Sequence, residues 1–350
     1  MKARHLIVIV FLILVAGLTI YLFLPGKSET TQPSHGELLA PGSLPTGPAA
    51  ADELRIMAWN IRNFPEDDRP QTPELDFSRK TNFSDLDAVL KALHADLLGV
   101  EEIRRPSLFR KVLNSALGKG NFKAAFSRNG GRWGQHVGFI WNPERLKLEG
   151  KVEEVKSIAL TEGLRPGFAG YFRSRADNGI DFTLLQVHLR ATPRGYGRRL
   201  EQYRTIAEWV ERRVEEFGDE DLIVQGDFNT TGPQGGSLED ELEATDSILA
   251  KAGLRRIPNA SGCSEYWEGP GRPDGVQIPA LLDQVYLRGF EEYDGARPLR
   301  SWLHCARAHC GTLISSPEAP DPSFWDVSDH CPVSFLISDS DLDPAPVQQP

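Results

Sequence analysis

After residue 54 the chain alternates between short apolar runs, turn residues and stretches of helical spacing. The runs 54–59, 97–100, 137–141, 182–187, 222–224, 284–287 and 333–337 are rich in β-branched, aromatic and aliphatic residues and predict strands. Ser84, three residues before Asp87, resembles a capping box and predicts a helix running through Leu93. Leu200, Tyr203, Ile206, Ala207, Val210 and Val214 recur at helical spacing and predict a helix laid on a sheet. Strands outnumber long helices, which predicts a mixed α/β class with sizeable sheets. No internal repeat is visible.

The ends of the chain read differently. Lys2, Arg4 and His5 precede an almost unbroken apolar run, 6–24, close to the ~20 residues that span a bilayer. No small-x-small cleavage site follows it, so residues 1–24 read as an uncleaved signal anchor, with a cleaved signal peptide as the rival. Positive charge ahead of the run places the remainder on the extracytoplasmic side of a cell membrane. Residues 25–53 carry five prolines among Gly, Ser and Thr and read as a linker. Residues 338–350 read as a disordered tail. One catalytic domain, 54–337, remains.

The chain has 350 residues, 39 of them Lys or Arg and 49 Asp or Glu, so its net charge is −10. That balance excludes binding of nucleic acid by bulk charge alone, but not a local meeting with phosphate through a metal. Arginine outnumbers lysine 28 to 11. This fits either a GC-rich coding bias or a use for bidentate phosphate contacts. Cys263, Cys305, Cys310 and Cys331 show no zinc spacing. Cys305 and Cys310, nearest in sequence, are the expected local disulfide pair, and the connectivity is otherwise open.

Polar residues gather just past the predicted strands. Asn60 and Arg62 follow the first, Glu101, Glu102 and Arg104 the second, and His188 and Arg190 another. Asp227 and Asn229 follow 222–224, Asp283 precedes 284–287, and Asp329 and His330 precede the last. Loops at strand ends are where a rigid scaffold presents reactive groups. Glu102, Asp227, Asp329, Asn60 and Asn229 are hard oxygen donors suited to Mg²⁺, with Mn²⁺ or Ca²⁺ as alternatives, and not to zinc. His188 and His330 titrate near neutrality and suit proton transfer, and Asp283 could orient one of them. Carboxylates, histidines and arginines together suit attack of water on a phosphate ester. The segment 190–199 adds four arginines and Tyr196, either as a phosphate grip or as a solvated loop.

In their order, these motifs resemble the endonuclease/exonuclease/phosphatase superfamily and its deoxyribonuclease I-like branch. The resemblance runs over 54–337. It implies an α/β four-layer sandwich of two packed mixed β-sheets flanked by helices. It also implies metal ligation by Asn60, Glu102 and Asp329, and phosphate contacts by Arg62, Arg104 and, more loosely, Arg165. Catalytic roles fall to His188, Asp227, Asn229, Asp283 and His330. Two positions depart from the pattern. Gln135 stands where the family carries a Glu behind the first histidine, and Trp133 stands where it carries a Tyr. The implied activity is a divalent-metal-dependent phosphodiesterase, first of all a nuclease with DNA as substrate. A phospholipid or phosphoinositide phosphodiesterase or phosphatase is the alternative, and an inactive binding module the third reading. The membrane would be met through the N-terminal helix, and no feature calls for an obligate protein partner.

Overall fold

In the computed structural model, residues 38–66, 80–160, 163–267, 275–315 and 320–342 are described. Each predicted apolar run there is a strand. The strands are β1 (Glu53–Asn60), β2 (Leu97–Ile103), β3 (Lys123–Phe126), β4 (His136–Trp141), β5 (Leu146–Val155), β6 (Gly167–Ser174), β7 (Asp181–His188) and β8 (Leu222–Asp227). Then come β9 (Arg255–Arg256), β10 (Glu265–Trp267), β11 (Val276–Ala280), β12 (Asp283–Arg288), β13 (Arg300–Ser301), β14 (Leu313–Ile314) and β15 (Val333–Ser338). The helices are α1 (Phe83–Leu93), α2 (Pro106–Leu117), α3 (Tyr196–Phe217), α4 (Leu238–Leu249) and α5 (Leu303–Arg307).

Two six-stranded sheets form, ordered β13-β15-β1-β2-β4-β3 and β5-β6-β7-β8-β12-β9. The parallel pairs β1–β2 and β7–β8 lie inside the two sheets, and β15 and β12 pair antiparallel against them. Alternation along β1 explains the packing. Leu54, Ile56 and Ala58 join Phe139, Phe168, Phe172, Phe182 and Phe335 in a core between the sheets. Met57 and Trp59 point the other way, into a second core with α1 and α2. The second sheet likewise turns Leu185, Val187 and Val224 onto Tyr203, Ile206 and Val210 of α3. Both faces of each central strand are therefore covered, giving the expected α/β four-layer sandwich. Burial of each such side chain contributes roughly 1.5–3 kcal/mol.

Several details differ from the sequence reading. The α1 cap is Asn82, whose side chain accepts from Ser84 N and Asp85 N at 3.0 and 3.4 Å. Asp87 instead pairs with Lys91 one turn on. The cysteines pair Cys263–Cys310 and Cys305–Cys331. Cys305 and Cys310 do not join, because His309 and Cys310 turn through left-handed backbone after α5. That turn sends Cys310 toward Cys263, under the small third sheet β10-β11-β14. In the stretch read as linker, Leu38 and Leu44 are buried in the α1–α2 core, and Ser43 O accepts from Leu303 N.

The expected membrane placement is contradicted. Among the described residues no helix is long and apolar enough to cross a membrane, and residues 1–24 lie outside them.

Candidate active site

The carboxyl ends of β1, β2, β7 and β8, the start of β12 and the turn before β15 meet at one end of the sandwich. Asp227, the last residue of β8, is their hub. It is buried, and its Oδ2 accepts from Asn60 Nδ2 at 3.0 Å. His188 Nε2 lies 3.4 Å and His330 Nε2 3.9 Å from the same oxygen. Asp227 Oδ1 accepts from Asn229 N at 2.8 Å. Asn229 adopts φ 53°, and its Nδ2 reaches Leu189 O at 3.3 Å. Gly226 makes this approach feasible, since a Cβ there would overlap Val187 O and the Glu101 carboxylate.

β2 presents Glu102 through an irregularity. The β2–β4 register shifts between Val100 and Ile103, and Glu102 itself has φ 60°. The shift turns Glu101 inward, fully buried, toward Gln186 and Asp227 N. Glu102 is left at the cluster, with Oε1 3.6 Å from His188 Nε2 and Oε2 accepting from Asn63 N at 2.8 Å. Burial, then Asp329, raises the Glu102 pKa. Burial also raises that of Asp227, with Asp283 and Glu102 adding to it and His330 opposing.

The two histidines have opposite electrostatics. His330 Nδ1 sits 2.9 Å from Asp283 Oδ2, and Asp283 is completely buried. Burial alone would lower the His330 pKa, but Asp283, then Asp227 and Asp329, outweigh it and hold the imidazolium well above its usual range. Ser328 Oγ donates to Asn60 O and accepts from His330 N, and Trp59 Nε1 donates to His330 O, so the closing turn is tied to β1. His188 is pushed well down by burial, then by Arg165 and His330, which favours its neutral form. Gln135 does not orient it. The Gln135 amide bridges Asn63 Oδ1 and Arg165 Nη1, and His188 Nδ1 is buried without a hydrogen-bond partner among the described residues.

The three arginines part company. Arg165 is buried at the cluster, donating to Gln135 Oε1 and Leu189 O. Arg104 lies at the rim, donating to Trp133 O and Glu66 O at 3.1 and 3.2 Å. Arg62 departs from its expected phosphate contact. It is buried, and its guanidinium clamps Phe324 O and Trp325 O at 2.6 and 2.7 Å in the turn leading to Ser328. Of the 190–199 segment, Arg199 is wholly buried on Glu241, whereas Arg190, Arg194 and Arg198 are exposed.

Sequence reasoning named Glu101 without giving it a role, and missed Glu265. Strand alternation separates Glu101 from Glu102 but cannot say which faces the site, because the register shift decides it. Glu265, paired across a β-bridge with His330, carries no sequence signal.

The sandwich with this cluster at one end is the endonuclease/exonuclease/phosphatase fold. It is shared with the catalytic domain of human Nocturnin, solved with a bound sulfate (TM-score 0.51, 17% identity, covering 82% of this chain and 94% of that one). It is shared also with a humanized D. rerio TDP2 (0.52, 15%, 82% and 100%). TDP2 from C. elegans matches similarly (0.53, 14%, 82% and 75%). No family model and no curated protein sequence matches the chain.

Proposed function

We propose that the chain is a divalent-metal-dependent phosphodiester hydrolase, a DNase I-like nuclease acting on DNA. One observation carries the reading. Asn60, Glu102, His188, Asp227, Asn229, Asp283 and His330, scattered over 271 positions, meet around a single buried aspartate.

Glu102, with Asn60 and Asp329, would hold the cation. The donors are hard oxygens, and Asn60 Oδ1 is buried with no hydrogen-bond partner among the described residues, an acceptor that a cation would satisfy. Mg²⁺ bound there would neutralise charge on the scissile phosphate. The protein's own groups supply the remainder. Asp227 and Asn229 orient the attacking water and a phosphoryl oxygen. His330, kept protonated by Asp283, offers Nε2 to developing negative charge. Neutral His188 accepts a hydrogen bond beside Asp227, and Arg165 lends fixed positive charge. Arg62 acts at a distance, by holding the turn that carries Asp329 and His330.

The test is His330→Ala in the full chain. It is assayed with Mg²⁺ on plasmid DNA, linear DNA, a dinucleoside monophosphate and phosphatidylinositol. Loss of roughly 10²–10⁴-fold in kcat on DNA or the dinucleotide is expected. Full retention of that activity refutes the assignment, and hydrolysis of the lipid alone would move the substrate class.

A further inference from the structure

The site is assembled from two sheets that share no strand. Asn60, Glu102 and the turn carrying Asp329 and His330 belong to the first, at β1, β2 and the approach to β15. His188, Asp227 and Asp283 belong to the second, at the ends of β7 and β8 and the start of β12. The proposed cation ligands therefore stand on one sheet, with Asp227 and His188 on the other. The core between the sheets is apolar, and apolar packing has no direction by which to fix one sheet against the other.

Beneath the cluster the interior is different. Glu101, Gln186 and Gln225 are all wholly buried. Each precedes a site group: Glu101 adjoins Glu102, Gln186 is two residues before His188, and Gln225 is two before Asp227. They form one line of hydrogen bonds from sheet to sheet. Gln225 Nε2, from β8, donates to Met57 O of β1 at 2.8 Å and to Gln186 Oε1 at 3.0 Å. Gln186 Nε2, from β7, donates to Glu101 Oε1 of β2, and the same oxygen accepts from Asp227 N at 3.2 Å. Burial, then Asp283 and Asp227, pushes the Glu101 carboxyl well up, but Oε1 accepts these bonds with or without a proton on Oε2.

Two glycines keep the space open. A Cβ on Gly99 of β2 would fall 1.7 Å from Gln186 Oε1. One on Gly226 of β8 would fall 2.5 Å from Glu101 Oε1 and 3.0 Å from Gln186 Nε2. Each sheet thus gives up a side chain where the line crosses. Apolar groups of matched shape in that room would serve stability about as well, so the polar line is not needed to hold the sandwich together. What it adds is direction.

We infer that Glu101 and Gln186 are positioning residues, whose bond between the sheets sets Glu102 on β2 against Asp227 on β8. This rests on the phosphodiesterase reading and adds to it two residues that act through their neighbours on the cation and the phosphate. The leverage is large, because a misplacement of about 1 Å between reacting groups can cost about a hundredfold in rate.

The test uses the full chain with Glu101→Met, Gln186→Met, both together, and Glu101→Gln. Hydrolysis of thymidylyl-thymidine and of plasmid DNA is followed with Mg²⁺. Mn²⁺ binding is followed by loss of the free-ion electron paramagnetic resonance signal, and folding by thermal melting. Either Met variant should lower kcat by at least about tenfold with KM within about threefold, and should weaken Mn²⁺ binding by more than about threefold. The double variant should fall no more than about threefold below the worse single one, since both changes break the same bond. Glu101→Gln keeps the acceptor and should stay within about threefold of the wild type in both measures. Should Glu101→Met fail to fold, Gln186→Met, which leaves Glu101 its bond from Asp227 N, carries the same test. Mn²⁺ binding within about threefold of the wild type in a folded Met variant overturns the inference, as does a Glu101→Gln variant as damaged as Glu101→Met. If the wild type cleaves neither probe yet binds Mn²⁺ more tightly than the Met variants, the hydrolytic reading fails while the positioning role stands. A wild type that neither cleaves nor binds Mn²⁺ ends both.

Discussion

Arg199 gives the sharpest test of how the loops around the site are held. Its guanidinium is wholly buried in the loop-and-helix corner after His188. Nε and Nη2 donate to the two carboxylate oxygens of Glu241 at 2.5 and 2.7 Å. Nη1 donates to Arg190 O and Thr192 O, and Nη2 also reaches Thr231 Oγ1. One cation therefore ties the segment leaving His188 to the segment leaving Asn229. Arg199→Met would leave Glu241 with Tyr203 OH and Gly232 N but no counter-charge, and would take the guanidinium donor from Arg190 O and from Thr192 O, the latter keeping Gly195 N. Breaking one partner of a buried pair costs about 3–5 kcal/mol, a large share of the roughly 5–15 kcal/mol that holds an ordinary domain. Urea unfolding followed by tryptophan fluorescence should show that loss. Because the penalty comes from the orphaned carboxylate, Arg199→Met with Glu241→Leu should recover at least about 2 kcal/mol of it. A phosphate-gripping Arg199 would behave otherwise, with stability changing by less than about 1 kcal/mol and substrate affinity falling. That pattern, or a double variant no more stable than the single, would refute the clamp.

Three further outcomes follow from the same geometry. Asp283→Asn should cost about 1.5–3 kcal/mol near pH 6, measured by thermal melting. The pair raises the folded His330 pKa, so its stabilisation is full below the unfolded value of about 6.5 and is lost as pH climbs through the folded value. The difference between wild type and variant should therefore shrink on the alkaline side, and a pH-independent difference counts against the pairing. Replacing Cys305 and Cys331 by Ser opens a 26-residue separation and should cost about 3.5 kcal/mol on the chain-entropy account. It should also lower kcat more than the same change at Cys263 and Cys310, because Cys331 adjoins His330, and equal kcat losses would contradict that coupling. Chelation should abolish hydrolysis and Mg²⁺ restore it. Asn60→Ala should raise the Mg²⁺ concentration for half-activation by about tenfold or more, and an unchanged value removes Asn60 from the ligand set.

What could be read from the residues alone follows from where each one's environment is decided. β7 is buried at every position because sheet and helix cover both its faces, so Phe182, Leu184, Leu185 and Val187 crowd into one short stretch that is plain in the sequence. β5, at a sheet edge, exposes Lys147 and residues Gly150 to Glu153, and its mixed polarity hides it among loops. The same division runs through the site. Asp227, His188 and Asp283 owe their places to being at the end or start of a central strand, a local property. Arg62 also follows a strand, but its guanidinium is captured by two carbonyls more than 260 positions away, a choice only the folded chain can make. Glu265 is the extreme case. It is brought beside the cluster only by the bridge to His330 across 65 positions. Residues placed by their own strand yield the reaction chemistry. Residues placed by a distant partner become legible only once the chain is folded.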